Sequence, residues 1–278
     1  MVKFSRLWPL PVKRFALLPY LFILPHLVFF AAFIIYPLLN GLYISLHSYD
    51  YLRPEATEFV GLENYLALFR PGTVRSNLFW NSMGNTALFV LCSVPLNVAI
   101  PLGMALLVNT KTPGRNIFRA VYFAPWVLSV TVISLTWWWI FQSQGGLLNY
   151  YLAELGVKGP RWLSTVPWAW VAIITATLWW TAGFNMIVLL AALQDIPEQL
   201  YEAAEIDGAG SWQRFLYVTL PQLRPVLLFI ITISIIASFN LFGQPLIMTR
   251  GDPRQANGGG ATEPVMMLIY NEGFVRPY

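Results

Sequence analysis

Two groups of residues in this 278-residue sequence have types and spacings suited to chemistry. In the first, Thr177, Trp180, Thr181 and Phe184 fall at i, i+3, i+4 and i+7, one stripe of a helix. Ser234, Ser238 and Leu241 make a similar stripe, with Asn240 and Gln244 nearby. Aromatic faces stack on flat apolar surfaces, and hydroxyls and amides bond polar edges, a combination that suits a sugar. The plainer reading is packing, because Ser and Thr often sit between membrane helices. Trp137-Trp138-Trp139 and Trp179-Trp180 read equally as interfacial aromatic belts. The second group sets Glu202 and Glu205 among the small residues Ala203, Ala204, Gly208 and Ala209. The small side chains leave space for close approach by a partner, and the acids can meet basic groups on it. An ordinary interfacial hairpin is the alternative.

Other chemistries find no support. No Gly-x-x-x-x-Gly-Lys-Ser/Thr run exists, so the chain carries no phosphate cradle of that kind. His26 and His47 are too far apart to suggest a metal site, and both read as helix or interface residues. Cys92 is the only cysteine, which excludes an intrachain disulfide, and it reads as a small buried hydrophobe. The net charge of +4 shows no clustered basic face, so nucleic acid is not an expected partner.

The elements that position the two groups follow from composition. Hydrophobic residues make up 57% of the chain and charged ones only 11%, against roughly 25% charged in soluble domains. No Asp, Glu, Lys or Arg occurs between Arg14 and Asp50, Arg75 and Lys111, Arg119 and Glu154, Arg161 and Asp195, or Arg224 and Arg250. Each gap exceeds the roughly 20 apolar residues that a spanning helix needs. A charge at a helix centre costs roughly 2.5–3.5 kcal/mol on the insertion scale. Five transmembrane helices are therefore expected near 17–40, 83–108, 121–142, 168–192 and 226–248. Pro25, Pro37, Pro95 and Pro125 lie inside them and argue for kinks. The first run is too long for a signal-peptide core and lacks a cleavage site, so it reads as a permanent span.

Lys3, Arg6, Lys13 and Arg14, and then Lys111, Arg115 and Arg119, occur in connections without acids. Both connections read as cytoplasmic, which makes the N-terminus cytoplasmic and 50–75 and 143–167 external. Segment 194–224 returns to the cytoplasm, although its five carboxylates against two arginines give the rule little help. Within it, Gln194-Asp195 and Pro197 suit a helix start, and Gly208-Ala209-Gly210 a break. Ser211 suits the cap of a second short helix ending near Leu220, before Pro221. The Gly-, Asn- and Pro-rich stretch 250–262 is expected to be the most mobile segment.

Glu202-Ala203-Ala204, then three residues, Gly208, then nine, then Val218-Thr219-Leu220-Pro221 resembles the EAA loop of binding-protein-dependent ABC permeases. Ile is usual in that family where Val218 stands. The longer run from Ile196 through Asp207 to Ala209 strengthens the match. Leu18 to Pro25, Tyr36-Pro37-Leu38, Phe59 to Tyr65, Phe118-Arg119-Ala120, Ala124-Pro125-Trp126 and Gly146 to Asn149 extend it over nearly the whole chain. Together they resemble the carbohydrate branch, the maltose-type first permease subunit.

The resemblance implies an all-α polytopic membrane protein with the type I importer permease fold. It implies one transmembrane domain over 1–278 in a multi-pass chain of the cell membrane. The family's sixth helix is absent as a full span, since only Val265 to Tyr270 remain to begin it, and an incomplete chain is the expected explanation. Glu202, Ala203, Ala204, Asp207, Gly208, Leu220 and Pro221 would couple to an ATPase, with Glu202 in contact and Gly208 permitting the turn. The stripes above would line the sugar path. The implied partners are a second permease subunit, two ATPase subunits that bind ATP and magnesium themselves, an extracytoplasmic sugar-binding protein and membrane lipid. The chain itself would be neither an enzyme nor a carrier of a cofactor. Spans without charge favour an external energy source over ion coupling. A polyol, glycerol-phosphate or amino acid permease is the alternative within the family. A membrane enzyme lacks the carboxylates, histidines or metal ligands it would need.

Overall fold

The computed structural model describes residues 18–49, 53, 55, 57–109, 114–255 and 259–275. The basic residues Lys3, Arg6, Lys13, Arg14 and Lys111, which carry the orientation argument, lie outside them. Two compact units divide the chain, residues 1–70 and 71–278.

In the first unit, α1 (Leu18–Phe30) and α2 (Tyr36–Ser45) are joined by a π turn at Ala31–Ile35 into one apolar run, Tyr20–Ser45. Pro37 explains the turn. Proline has no N–H, and its ring crowds the carbonyl four residues back. The helix widens just before it, and Tyr36 N–H bonds Ala31 O. The end of the span is tied down by the Phe59-to-Tyr65 motif. Strands β1 (His47–Ser48) and β2 (Glu58–Phe59) pair antiparallel, and α3 (Glu63–Ala67) follows. Asn64 Nδ2 donates to Ser45 O and His47 O, both at 2.9 Å. Tyr65 Oη lies 2.8 Å from Ser45 Oγ.

In the second unit, α4 (Val74–Val108) is capped by Thr73, whose Oγ1 accepts from Ser76 N–H. It starts nine residues before the expected 83 because Arg75 and the polar first turn project beyond the apolar stretch. Cys92, expected inside, is exposed on this helix; a lipid-facing surface imposes no cost on an apolar side chain. The expected third span is broken. α5 (Arg115–Phe123) runs into a 3-10 turn at Ala124–Val127, and α6 (Val130–Ile140) leaves at 100° to that first piece. Pro125 lies inside the 3-10 turn, Leu128 is extended, and Ser129 restarts the helix by accepting from Val132 N–H. Trp180 Nε1–H donates to Leu128 O (3.2 Å), satisfying a carbonyl that the bend exposes.

Beyond the short α7 (Leu147–Glu154), α8 (Trp168–Gln194) forms the centre of the unit. It packs along α4 through Trp170 and Ile173 beside Phe89, and through Met186, Leu189, Leu190 and Leu193 beside Ala105 and Val108, while its fully buried Ala172 and Ala176 sit with Phe141 and Met248. Gly183 is the tightest point against α5, where an added Cβ would lie 1.8 Å from Tyr122 O. α9 (Glu198–Ile206) follows, and then α10 (Ser211–Arg214), a π turn at Phe215–Thr219 and α11 (Leu220–Phe239) form one 29-residue helix. Pro221 was expected to follow the end of a short helix. Instead the π turn accommodates it, with Leu220 N–H bonded to Phe215 O. The span expected at 226–248 accordingly begins at Ser211 and ends at Phe239.

Segment 250–262, expected to be mobile, is pinned over its described residues. Asn85 Nδ2 donates to Gly260 O and Glu263 O, and Trp170 Nε1–H to Ala261 O. Glu263 is fully buried, accepts from Gly260 N–H and Asn271 Nδ2, and lies 3.9 Å from Arg254. Glycine composition suggested freedom, but long-range hydrogen bonds override it. α12 (Val265–Tyr270) and a π turn at Asn271–Val275 follow.

Replacing Gly183 by Val is expected to cost about 1–3 kcal/mol or more, the range for overpacking. Gly103→Ala, where an added Cβ meets nothing within 4 Å, is the control. Thermal unfolding in detergent measures both, and equal midpoints would refute the contact's importance.

Candidate functional site

Halfway along α8, the helix faces α4, the α5–α6 bend and α11 around a cavity of about 640 Å³. The fold brings all nine residues of the two stripes to its wall. Thr177, Trp180, Thr181 and Phe184 come from α8, Ser234 and Ser238 from α11, and Asn240, Leu241 and Gln244 from the break after α11. That break stands where the sequence reading continued a helix. Leu241 N–H bonds Ser238 O at 3.2 Å, and Asn240 Nδ2 turns back to Ile236 O at 2.8 Å. The Asn240 side chain thus bonds a carbonyl at the end of the helix.

The wall is organised by hydrogen bonds between spans. Thr181 Oγ1 lies 2.7 Å from Asn97 Oδ1, and Asn185 Nδ2 donates to Asn97 O at 3.2 Å, so α4 and α8 are joined. Gln244 Nε2 reaches Thr177 Oγ1 at 3.4 Å, and Ser93 meets Ser238 at the same distance. The aromatic part centres on Trp126, which stacks on Phe184 with ring centres 4.7 Å apart. Trp180 is 5.8 Å away on the same indole. The sequence reading missed Asn97, Asn185 and Trp126. Asn97 was findable as an amide inside a charge-free run, where an unpaired polar group is costly. Trp126 was not, because its approach to Phe184 depends on the 100° bend.

The second group forms a closed helical hairpin. Pro197, with no side-chain acceptor, stands at the N-cap of α9, since Gln194 is the last residue of α8. Gly208 has φ of +79°. Its N–H bonds Glu205 O, and Ala209 N–H bonds Ala204 O at 2.9 Å. These are the paired bonds of a Schellman motif, which explains why Gly stands four residues after Ala204. Gly210 rather than Ser211 is the next N-cap, its N–H bonded to Gln213 Oε1. Two side-chain contacts lock α9 onto the long helix: Tyr201 Oη to Thr219 Oγ1 at 3.0 Å and Glu205 to Arg214 at 3.3 Å.

Glu202, Ala203, Asp207 and Gly208 are exposed, Ala204 is half-buried, and Ile206 is 87% exposed at the tip. Leu220 and Pro221 lie on the long helix just past the π turn, half-buried and exposed. Beneath the hairpin, Val108, Leu189, Leu193 and Leu223 make a packed base.

Residues 97–258 match the family described as the inner membrane component of binding-protein-dependent transport systems. The trehalose/maltose transport system permease protein MalF of Thermococcus litoralis is 38% identical over 258 residues, 93% of this chain and 84% of that protein. The sulfoquinovosyl glycerol transport system permease protein SmoG of Agrobacterium fabrum is 34% identical over 254 residues, 91% and 79% of the two chains. A chain from a bacterial ABC transporter involved in import of the acidic polysaccharide alginate superposes with a TM-score of 0.77, covering 95% of this chain and 86% of its own at 23% identity.

Asn97→Ala removes the amide beside Thr181 while leaving the backbone acceptor of Asn185. The expected cost is about 0.5–1.5 kcal/mol, seen as a lower thermal midpoint at unchanged helix content. An unchanged midpoint would show that the Asn97–Thr181 contact contributes nothing.

Proposed function

We infer the function from one premise: this chain belongs to the family of binding-protein-dependent transport system inner membrane components. It is the transmembrane permease subunit of an ATP-driven ABC importer, and it moves a sugar or oligosaccharide inward by alternating access. The observation that carries the mechanism is that one unbroken helix, Ser211–Phe239, bears both the hairpin contacts and the cavity hydroxyls. Thr219 and Arg214 hold α9 at one end. Ser234 and Ser238 line the cavity near the other.

A separate ATPase subunit seats against Glu202, Ala203 and the exposed tip, and it supplies the ATP and magnesium chemistry. Two such ATPases serve a pair of permease subunits, this chain and a second one. When the ATPases close on ATP, the hairpin is displaced. The Schellman turn and the Tyr201 and Glu205 contacts keep it from folding away, so the long helix moves with it. The Ser234 and Ser238 hydroxyls shift relative to those of α8, and access passes from one face of the membrane to the other. The hairpin end is cytoplasmic, as is the N-terminus, and an extracytoplasmic binding protein delivers the solute on the opposite side. The cavity's aromatic stack and hydroxyls support a sugar as cargo. The relatives' names span trehalose/maltose, sulfoquinovosyl glycerol and an acidic polysaccharide, so family membership leaves the charge of the cargo open.

Affinity-purified chain, co-expressed with its transport operon, is expected to retain an ATPase. Glu202→Lys reverses a charge at the contact. Gly208→Val strains the left-handed turn by about 1–2 kcal/mol. Each is expected to release the ATPase and abolish ATP-driven uptake while the chain still inserts in the membrane. Full uptake and retained ATPase in both variants would sink the coupling role.

A further inference from the structure

We propose that the cavity passes an uncharged solute, a neutral saccharide rather than a phosphorylated, sulfonated or uronate sugar. The inference rests on the permease reading above. Its basis is the inventory of donors on the wall. Among the described residues, no acidic or basic side chain lines the cavity. An anion entering such a wall loses its water without gaining the charge-assisted hydrogen bonds that Arg or Lys would supply.

Many of these donors are already committed. The Thr177 and Thr181 hydroxyls bond Ile173 O and Thr177 O at 2.9 and 2.8 Å. The Trp180 indole N–H bonds Leu128 O. Asn185, Asn240 and Gln244 each direct their amide nitrogen to a protein acceptor, leaving one N–H apiece. Ser238 is paired with Ser93. The helix end at Val130 is where an anion would gain from the dipole, but Ser129 Oγ already caps it.

The groups free to meet a solute are the Ser234 hydroxyl, the Trp126 indole N–H and the Asn97 amide nitrogen, with the remaining N–H of Asn185, Asn240 and Gln244, all of them neutral. Beside them stand the rings of Trp126, Trp180 and Phe184. This inventory suits a solute that stacks through C–H faces and makes single neutral hydrogen bonds. It offers a localised negative charge no formal positive charge to pair with.

The complete transporter, purified without its extracytoplasmic binding protein, tests this directly. Intrinsic tryptophan fluorescence is titrated with neutral di- and trisaccharides and with their phosphorylated and uronate counterparts, at 0.1 M and 1 M NaCl. Trp126→Phe identifies the signal that arises in the cavity. The neutral member of at least one pair is expected to bind about tenfold or more tightly than its charged counterpart, with no dependence on salt. Ser234→Arg is expected to reverse that preference. Equal or tighter binding of the anion, binding that salt abolishes, or no binding by any neutral sugar would each overturn the inference. Co-purified ATPase is measured in the same preparation. An anion-preferring transporter that keeps its ATPase defeats this inference alone, whereas a chain that never holds an ATPase defeats the permease reading.

Discussion

The backbone of a membrane-spanning chain has no water to bond, and most of this structure answers that constraint. A straight α-helix satisfies it alone. At four departures from one among the described residues, a replacement partner is found. Before Pro37 and Pro221 the helix widens into a π turn, and the N–H of the preceding residue reaches five residues back. At the α5–α6 bend, Leu128 O takes the indole N–H of Trp180. At the break after Phe239, Asn240 bonds back to Ile236 O with its own amide. These last two departures both border the cavity. Irregular backbone is tolerated at membrane depth where it is enclosed by protein or lines a cavity, so the distortion of two spans and the position of the site have one cause.

What the sequence made legible, and what it did not, divides along the same line. Charge-free gaps located the spans because the cost of a charge in lipid is a local property of each residue. The stripes of α8 and α11 were readable because helical spacing is local too, and their six residues face one cavity, joined there by Asn240, Leu241 and Gln244 from the break that helical spacing did not foresee. The turn at Gly208 was readable from a residue type that alone tolerates its φ without strain. The 100° bend was not, because Pro125 announces a distortion without giving its angle. Nor was the continuity of the helix through Pro221, because a proline announces a helix end and a π turn alike. The order of the described residues of segment 250–262 depends on Asn85 and Trp170, far away in sequence. Its glycines promise freedom that tertiary hydrogen bonds remove.

The hairpin and the cavity are built on contrasting principles. The hairpin is held by local contacts: a Schellman turn, a tyrosine hydrogen bond and an ion pair tie it to its own following helix. Its outer surface, with Ile206 almost wholly exposed and Glu202 beside it, is left unsatisfied. The cavity wall is the reverse. Its polar groups are largely satisfied among themselves, across three spans. A surface that needs a partner is thereby mechanically joined to a wall that needs little from its contents. Such a wall can release what it holds.

The π turn at Phe215–Thr219 carries a further consequence, in the language of phase. Each residue of an α-helix turns the next by about 100°, and a π turn inserts one residue without lengthening the connection by a full turn. The angle between the hairpin contacts at one end and Ser234 and Ser238 at the other is therefore set by a count of residues, much as two keyways are cut at a set angle on one shaft. A single-residue deletion or insertion between Thr219 and Ser234 would leave the span as apolar as before and still rotate the hydroxyls out of the cavity. Along this helix, side chains can drift while length cannot.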